Sequence, residues 1–148
     1  MNINDTIVSQ STPKGVGPTA VIRVSGKNSI DIVNKIFPSK DLNKVDSHTL
    51  HFGSIIYDKV IIDEVVISIF KEPRSYTKEN IVEISCHGSE IIIKKIILSL
   101  IDLGARTAEK GEFTFRSFIN GNIDLSQAEA VSDCLLYTSP SPRDRLSS

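Results

Sequence analysis

The sequence predicts an α+β domain, and three observations carry that prediction. Short runs rich in β-branched residues, such as "TAVIRVSG" and "VIIDEVVISIF", read as strands. Apolar residues recur at helical spacing after Gly26 and after Ser89. Strands and helices mix without the regular alternation of a parallel α/β fold. With 148 residues, 40% of them hydrophobic and 24% charged, the chain suits one soluble domain around one core.

Taken in order, "TIVSQ" and "TAVIRVSG" are strands separated by "STPKGVGP", whose proline and glycine residues argue for a loop. Ile30, Val33, Ile36 and Phe37 then fall on one helical face, and Pro38 stops the pattern. "TLHFGSIIY" and "VIIDEVVISIF" follow as strands, with Asp58-Lys59 as a two-residue hairpin turn. "EPRSYT" is a polar loop and "IVEISCH" a strand. Ser89 is placed to cap the next helix and Gly104 to end it. That helix is apolar most of the way round, which predicts thorough burial. "GEFTFRSFI" reads as a short helix closed by Gly121, and Ser126 as the cap of "SQAEAVSD", with Glu129 at capping-box spacing. From Leu135 onward, "LLYTSPSPRDRLSS" carries two Ser-Pro steps that cannot continue a helix. We read residues 135–148 as a disordered or non-native tail.

Composition bounds the function. A formal net charge of −1 disfavours a domain that grips RNA through its phosphates over its whole surface. Two cysteines make no disulfide framework, and the N-terminus "MNINDTIVSQ" has no apolar run of signal length. No stretch reaches the roughly 18 apolar residues of a membrane span. The expectation is a cytoplasmic protein with no membrane association. A phosphate loop around Gly26-Lys27 is refused by spacing, since Val21 stands where glycine is needed and Asn28 where serine or threonine is needed.

Cys86 and His87 stand side by side and invite a nucleophile–base reading. On a strand they point to opposite faces, so they cannot meet. Cys86 is expected in the core beside Val82 and Ile84, and no metal-ligand spacing is present. The other face carries Ile81, Glu83, Ser85 and His87. Glu83 is either a solvent-facing glutamate on a half-exposed sheet or a fixed carboxylate for the N–H edge of an amino-pyrimidine ligand. Arg23, within an apolar strand, is either an edge residue in water or a clamp in a cleft. A structural Arg23–Glu83 ion pair is a further alternative.

Together "DTIVSQSTPKG", "VIRVSG", "PRSYTKENIVEISCHG" and "GEFTFRSFINGNIDLSQAEAVSD" resemble, in that order, the N-terminal domain of tRNA-modification GTPases of the MnmE (TrmE) type. The resemblance runs from about Asp5 to Asp133. It implies a fold similar to the folate-binding part of the glycine-cleavage T-protein. It also implies homodimerisation and binding of a tetrahydrofolate derivative, 5-formyltetrahydrofolate in type, as one-carbon donor. With an MnmG (GidA) type flavoprotein, such proteins modify C5 of the wobble uridine of tRNA, which the full complex engages rather than this domain.

Carried over residue by residue, the resemblance places folate contacts on Arg23, Glu83 and Asn122. Asn122 is a departure, because the family pattern has lysine there. The implied organisation is a folate-binding domain at 1–120, the start of a helical domain at 121–134 and the tail at 135–148. GTP, magnesium and potassium would belong to a GTPase domain that this chain lacks, so the chain alone is expected not to hydrolyse GTP. The other readings are a T-protein-like one-carbon transferase and a purely structural dimerisation module.

Overall fold

The β-branched runs form strands where alternation predicts them, in a computed structural model that describes residues 2–14, 17–124 and 126–127. They are β1 (Ile7–Gln10), β2 (Thr19–Ser25), β3 (Thr49–Tyr57), β4 (Val60–Phe70) and β5 (Ile81–His87), with a short β6 (Arg106–Thr107) that the sequence reading did not foresee. The helices are α1 (Ser29–Asn34), α2 (Glu90–Asp102) and α3 (Glu112–Ile119). The six strands form one sheet in the order β3-β4-β5-β2-β1-β6. Every pairing is antiparallel except β1 with β6, so the α+β expectation holds.

One sheet face builds the core. Val8, Ile22, Val24, Ile67, Ile69, Val82 and Ile84 are buried in one cluster with Ile30, Ile32 and Val33 of α1 and Ile96 and Leu100 of α2. Cys86 joins this cluster at 3% exposure, as its alternation with Val82 and Ile84 predicts. On the opposite face, the loop of residues 71–80 meets the Ile7–Ser25–Ile81 end of the sheet, where Ser25 bonds Thr77 and Glu79. α3 is tied to that loop through Arg116 to Glu79 and Ser117 to the Tyr76 carbonyl.

Local chemistry explains the turns. Asp58 and Lys59 both adopt positive φ, 52° and 64°, the paired left-handed conformation of a two-residue hairpin. Ser89 caps α2 by accepting the Ile92 N–H. Gly26 lies at φ 142°, where an added Cβ would stand 2.7 Å from the Thr6 backbone. At Gly88 a Cβ would meet the Gly17 carbonyl oxygen at 1.9 Å, so the chain after β5 passes too close to the 17–18 segment for any side chain.

Three expectations need correction. Helix α1 ends at Asn34, and Ile36 and Phe37 are buried from the turn after it rather than from a helical face. Only Ile96, Ser99 and Leu100 of α2 are buried, while Ile91 and Leu98 are 67% and 52% exposed. An isoleucine- and leucine-rich composition does not by itself set a helix's burial, because α2 packs on one side of the sheet only. The capping box lies earlier than Ser126 and Glu129. Gln127 N–H donates to Asp124 Oδ1 at 2.8 Å, and Asp124 N–H to Gln127 Oε1 at 2.9 Å. The remainder of "SQAEAVSD", most of the 121–134 segment and the 135–148 tail lie outside the described residues.

Candidate ligand-binding site

Strands β2 and β5 pair so that Arg23 stands directly opposite Glu83. Both side chains leave the sheet on the face away from α1 and α2, because their neighbours Ile22, Val24, Val82 and Ile84 fill the core. Arg23 Nε donates to Glu83 Oε2 at 3.0 Å, with the two side chains about one-quarter exposed, at 25% and 26%. The sequence reading left this pair open, and the structure makes it. It is a half-used pair: among the described residues neither guanidinium Nη nor Glu83 Oε1 has a hydrogen-bond partner.

Two aromatic rings flank the guanidinium. Its carbon lies 5.7 Å from the Tyr76 ring centroid and 5.4 Å from that of Phe113, within cation–π range. Beyond them opens a cleft of about 390 Å³, between the β1 edge, Tyr76 and the start of α3, with Lys110 and Gly111 at its rim. Arg23 lines this cleft, and Glu83 stands beside Arg23 on the neighbouring strand, outside the lining itself. The volume suits a flat heterocycle of modest size.

The walls are held by buried charge. Arg116 of α3 is wholly buried and donates to Glu79 at 3.1 Å, to Glu112 at 3.3 Å and to the Asn2 carbonyl at 3.2 Å. Arg106 pairs with both oxygens of Glu112, at 2.8 and 2.7 Å, and with Asp5 at 2.8 Å. Burial pushes the Glu112 carboxyl up. Hydrogen bonds from Arg106 and the Glu109 N–H, with the charges of Arg106 and Arg116, outweigh it and hold the carboxyl below its ordinary value. The network joins α3, β6, the N-terminal segment and the 71–80 loop, and so fixes both elements that carry the rings.

Among the described residues Asn122 makes no hydrogen bond to Arg23 or Glu83. Its Nδ2 donates to the Tyr76 carbonyl at 2.8 Å. The sequence reading missed Tyr76, Phe113 and the Glu79–Arg116–Glu112 network. One signal for the last was present: Glu112 and Arg116 stand four residues apart on a short helix. Cys86 and His87 do diverge. The Cys86 thiol is buried and pushed up to about 11, first by burial and then by the Asp63 charge. The exposed His87 ring bonds Asp63 at 2.8 Å through Nδ1.

A reduced pterin fits this chemistry as a group, since the pair leaves an anionic acceptor and a cationic donor unspent beside flat walls. Among the described residues no three His, Cys, Asp or Glu side chains converge as a metal site, and the phosphate-loop spacing is lacking in the sequence.

Comparison with known proteins adds the relatives. A family model described as the GTP-binding protein TrmE N-terminus matches residues 6–122. A protein of Cytophaga hutchinsonii named tRNA modification GTPase MnmE is 51% identical over 134 residues, covering 90% of this chain and 29% of the relative. Proteins of the same name from Flavobacterium psychrophilum and Bacillus cereus are 53% and 50% identical, over 91% and 88% of this chain. The chain spans only 29–30% of the length of these relatives.

Proposed function

The chain belongs to the family of TrmE N-terminal domains, and from that premise we propose that it is the folate-binding, self-associating module of a tRNA modification GTPase. Its ligand is a reduced folate of the 5-formyltetrahydrofolate type, taken as a one-carbon donor. The half-used Arg23–Glu83 pair is the observation that carries this reading. An amino-pyrimidinone edge presents N–H donors next to a carbonyl acceptor. Glu83 Oε1 meets the donors, and the Arg23 Nη groups meet the carbonyl or a carboxylate of the glutamate tail. Such contacts are charge-assisted and about twice as strong as neutral ones. The pair need not break to be used, so binding costs little rearrangement.

Self-association is supported by edge strand β3, where Leu50 and Phe52 alternate onto one face and are each 70% exposed. GTP hydrolysis with magnesium and potassium, the wobble-uridine chemistry, the MnmG-type flavoprotein and tRNA itself are assigned in this proposal to the whole protein. A net charge of −1 suits a domain that meets tRNA only through such a complex.

Calorimetric titration of the chain with 5-formyltetrahydrofolate, beside Glu83→Ala, tests the reading. Saturable binding that vanishes in the variant, with sedimentation unchanged, is the expected result. A folded wild-type chain that takes up no folate turns the assignment to a structural dimerisation module.

A further inference from the structure

Helix α2 carries a second apolar stripe that the core does not bury. Ile96, Ser99 and Leu100 are buried against the sheet. Ile93, Ile97 and Ile101 lie on the adjoining stripe, four residues apart, and are only part-buried. With Leu98, 52% exposed, they form one wall of a groove of about 430 Å³. The facing wall is Val8, Ser9 and Gln10 of β1 with Thr107 of β6. From Ile93 to Ile101 the groove runs about 12 Å, roughly two turns of helix. β1 divides it from the cleft beside Arg23, and the two linings share only Ser9 and Gln10.

The groove has a charged mouth. Lys94 reaches it from α2, and Lys14 from the segment after β1, so each wall supplies one ammonium group. Among the described residues neither lysine makes an ion pair. The chain just before Lys14 is anchored. Gln10 Nε2 donates to Thr12 Oγ1 at 3.2 Å and to the Pro13 carbonyl at 3.3 Å, and the Val21 N–H donates to the same hydroxyl at 3.1 Å. Glu90 is the one carboxylate in the lining, so two lysines and one glutamate leave the groove a formal +1.

We propose that this groove is a second ligand site of the domain, for an acyl carboxylate of medium chain length. The chain lies along Ile93, Ile97 and Ile101, and the carboxylate is held between Lys14 and Lys94. Aliphatic walls with a few polar groups gathered at one end are the make-up of a small-molecule site, and the volume falls in the same class. Burial of the chain supplies the affinity, and the two ammonium groups select an anion over a neutral or cationic amphiphile. A bilayer is a poor occupant, because a helix that lies in a membrane surface presents a convex apolar face. Here the apolar side chains line a concavity. The proposal stands apart from the folate reading and does not depend on it.

The test titrates decanoate and decanol into the full chain by calorimetry, each kept below the concentration at which it self-associates. Nitrogen-15 amide spectra locate the bound molecule. Wild type is compared with Leu98→Asp and with the double variant Lys14→Gln, Lys94→Gln, all exposed positions whose change leaves the core intact. Wild type is expected to bind one decanoate, more tightly than decanol, with shifts along α2 and β1 and none at Tyr76 or Phe113. Leu98→Asp should weaken decanoate about tenfold or more, by putting a carboxylate on the apolar wall. The double variant should lose about two- to fivefold per lysine for decanoate and nothing for decanol.

A folded wild-type chain that takes up no decanoate overturns the proposal. So does decanoate that shifts Tyr76 and Phe113 and is displaced by 5-formyltetrahydrofolate, since it then occupies the other cleft. Equal affinity for decanoate and decanol removes the carboxylate from the assignment and overturns it as stated. Decanoate refused while an amphipathic helical peptide with acidic flanks is bound would make the groove a protein-docking face instead. Decanoate bound along α2 by a chain that takes no folate removes the folate reading and leaves this site standing.

Discussion

Truncating Glu83 to alanine leaves the Arg23 guanidinium between two rings with no anion. Because the pair is about one-quarter exposed, at 25% and 26%, its net worth to stability is modest, about 1 kcal/mol. Urea denaturation of Glu83→Ala should therefore shift little while ligand binding is lost. Glu112 is the opposite case. It is wholly buried between two arginines, and Glu112→Ala leaves Arg116 buried without that partner. Loss of about 3–5 kcal/mol is expected in the same assay. The sign of its pH dependence follows from a folded pKa held below the ordinary 4.5. Its stabilisation is present above pH 4.5 and is lost as pH falls through the lower folded value. Acid unfolding of Glu112→Gln should accordingly show a shallower dependence below pH 4.5 than that of wild type. Cys86, with its thiol pushed up to about 11 and its side chain in the core, should resist alkylation at pH 8 until urea unfolds the chain. Peptide-resolved mass spectrometry would read this at Cys86 itself.

At the scale of elements, strand positions were legible because alternation and turn chemistry agree. β3, β4 and β5 lie where their β-branched runs place them, and the Asp58-Lys59 turn closes the hairpin with both residues left-handed. Lys59→Gly should raise stability by up to about 1 kcal/mol, by removing a Cβ from that conformation. β6 was not legible, because its two residues pair with β1 from far along the chain and have no periodicity of their own. The burial of α2 was misread because a sequence shows how apolar a helix is, not how many neighbours it finds. Ile96→Ala, fully buried, should cost about 2–5 kcal/mol, whereas Leu98→Ala, 52% exposed, should cost far less. The candidate site divides in the same way. Alternation placed Glu83 on the non-core face and Arg23 in a strand, and register then joined them. Tyr76 and Phe113 reach the pair from a loop and a helix, so only the tertiary fold shows them.

Across the whole molecule, the sheet separates two tasks. One face carries the core under α1 and α2. The other carries the charged pair, the aromatic walls and, toward the β3 edge, exposed Leu50 and Phe52. On the proposed self-association through this edge, Phe52→Lys should shift sedimentation toward monomer without altering thermal unfolding of the core. The central claim is that Arg23 and Glu83 recognise folate as an intact pair. Nitrogen-15 spectra of the Arg23 side chain, recorded while 5-formyltetrahydrofolate is added to the full chain, test it most directly. The Nη resonances should move and their rotation slow, while the Nε–H signal keeps the position of a proton bonded to Glu83. Folate that binds and leaves the Arg23 Nη signals unchanged, or that releases Nε from Glu83, would contradict it.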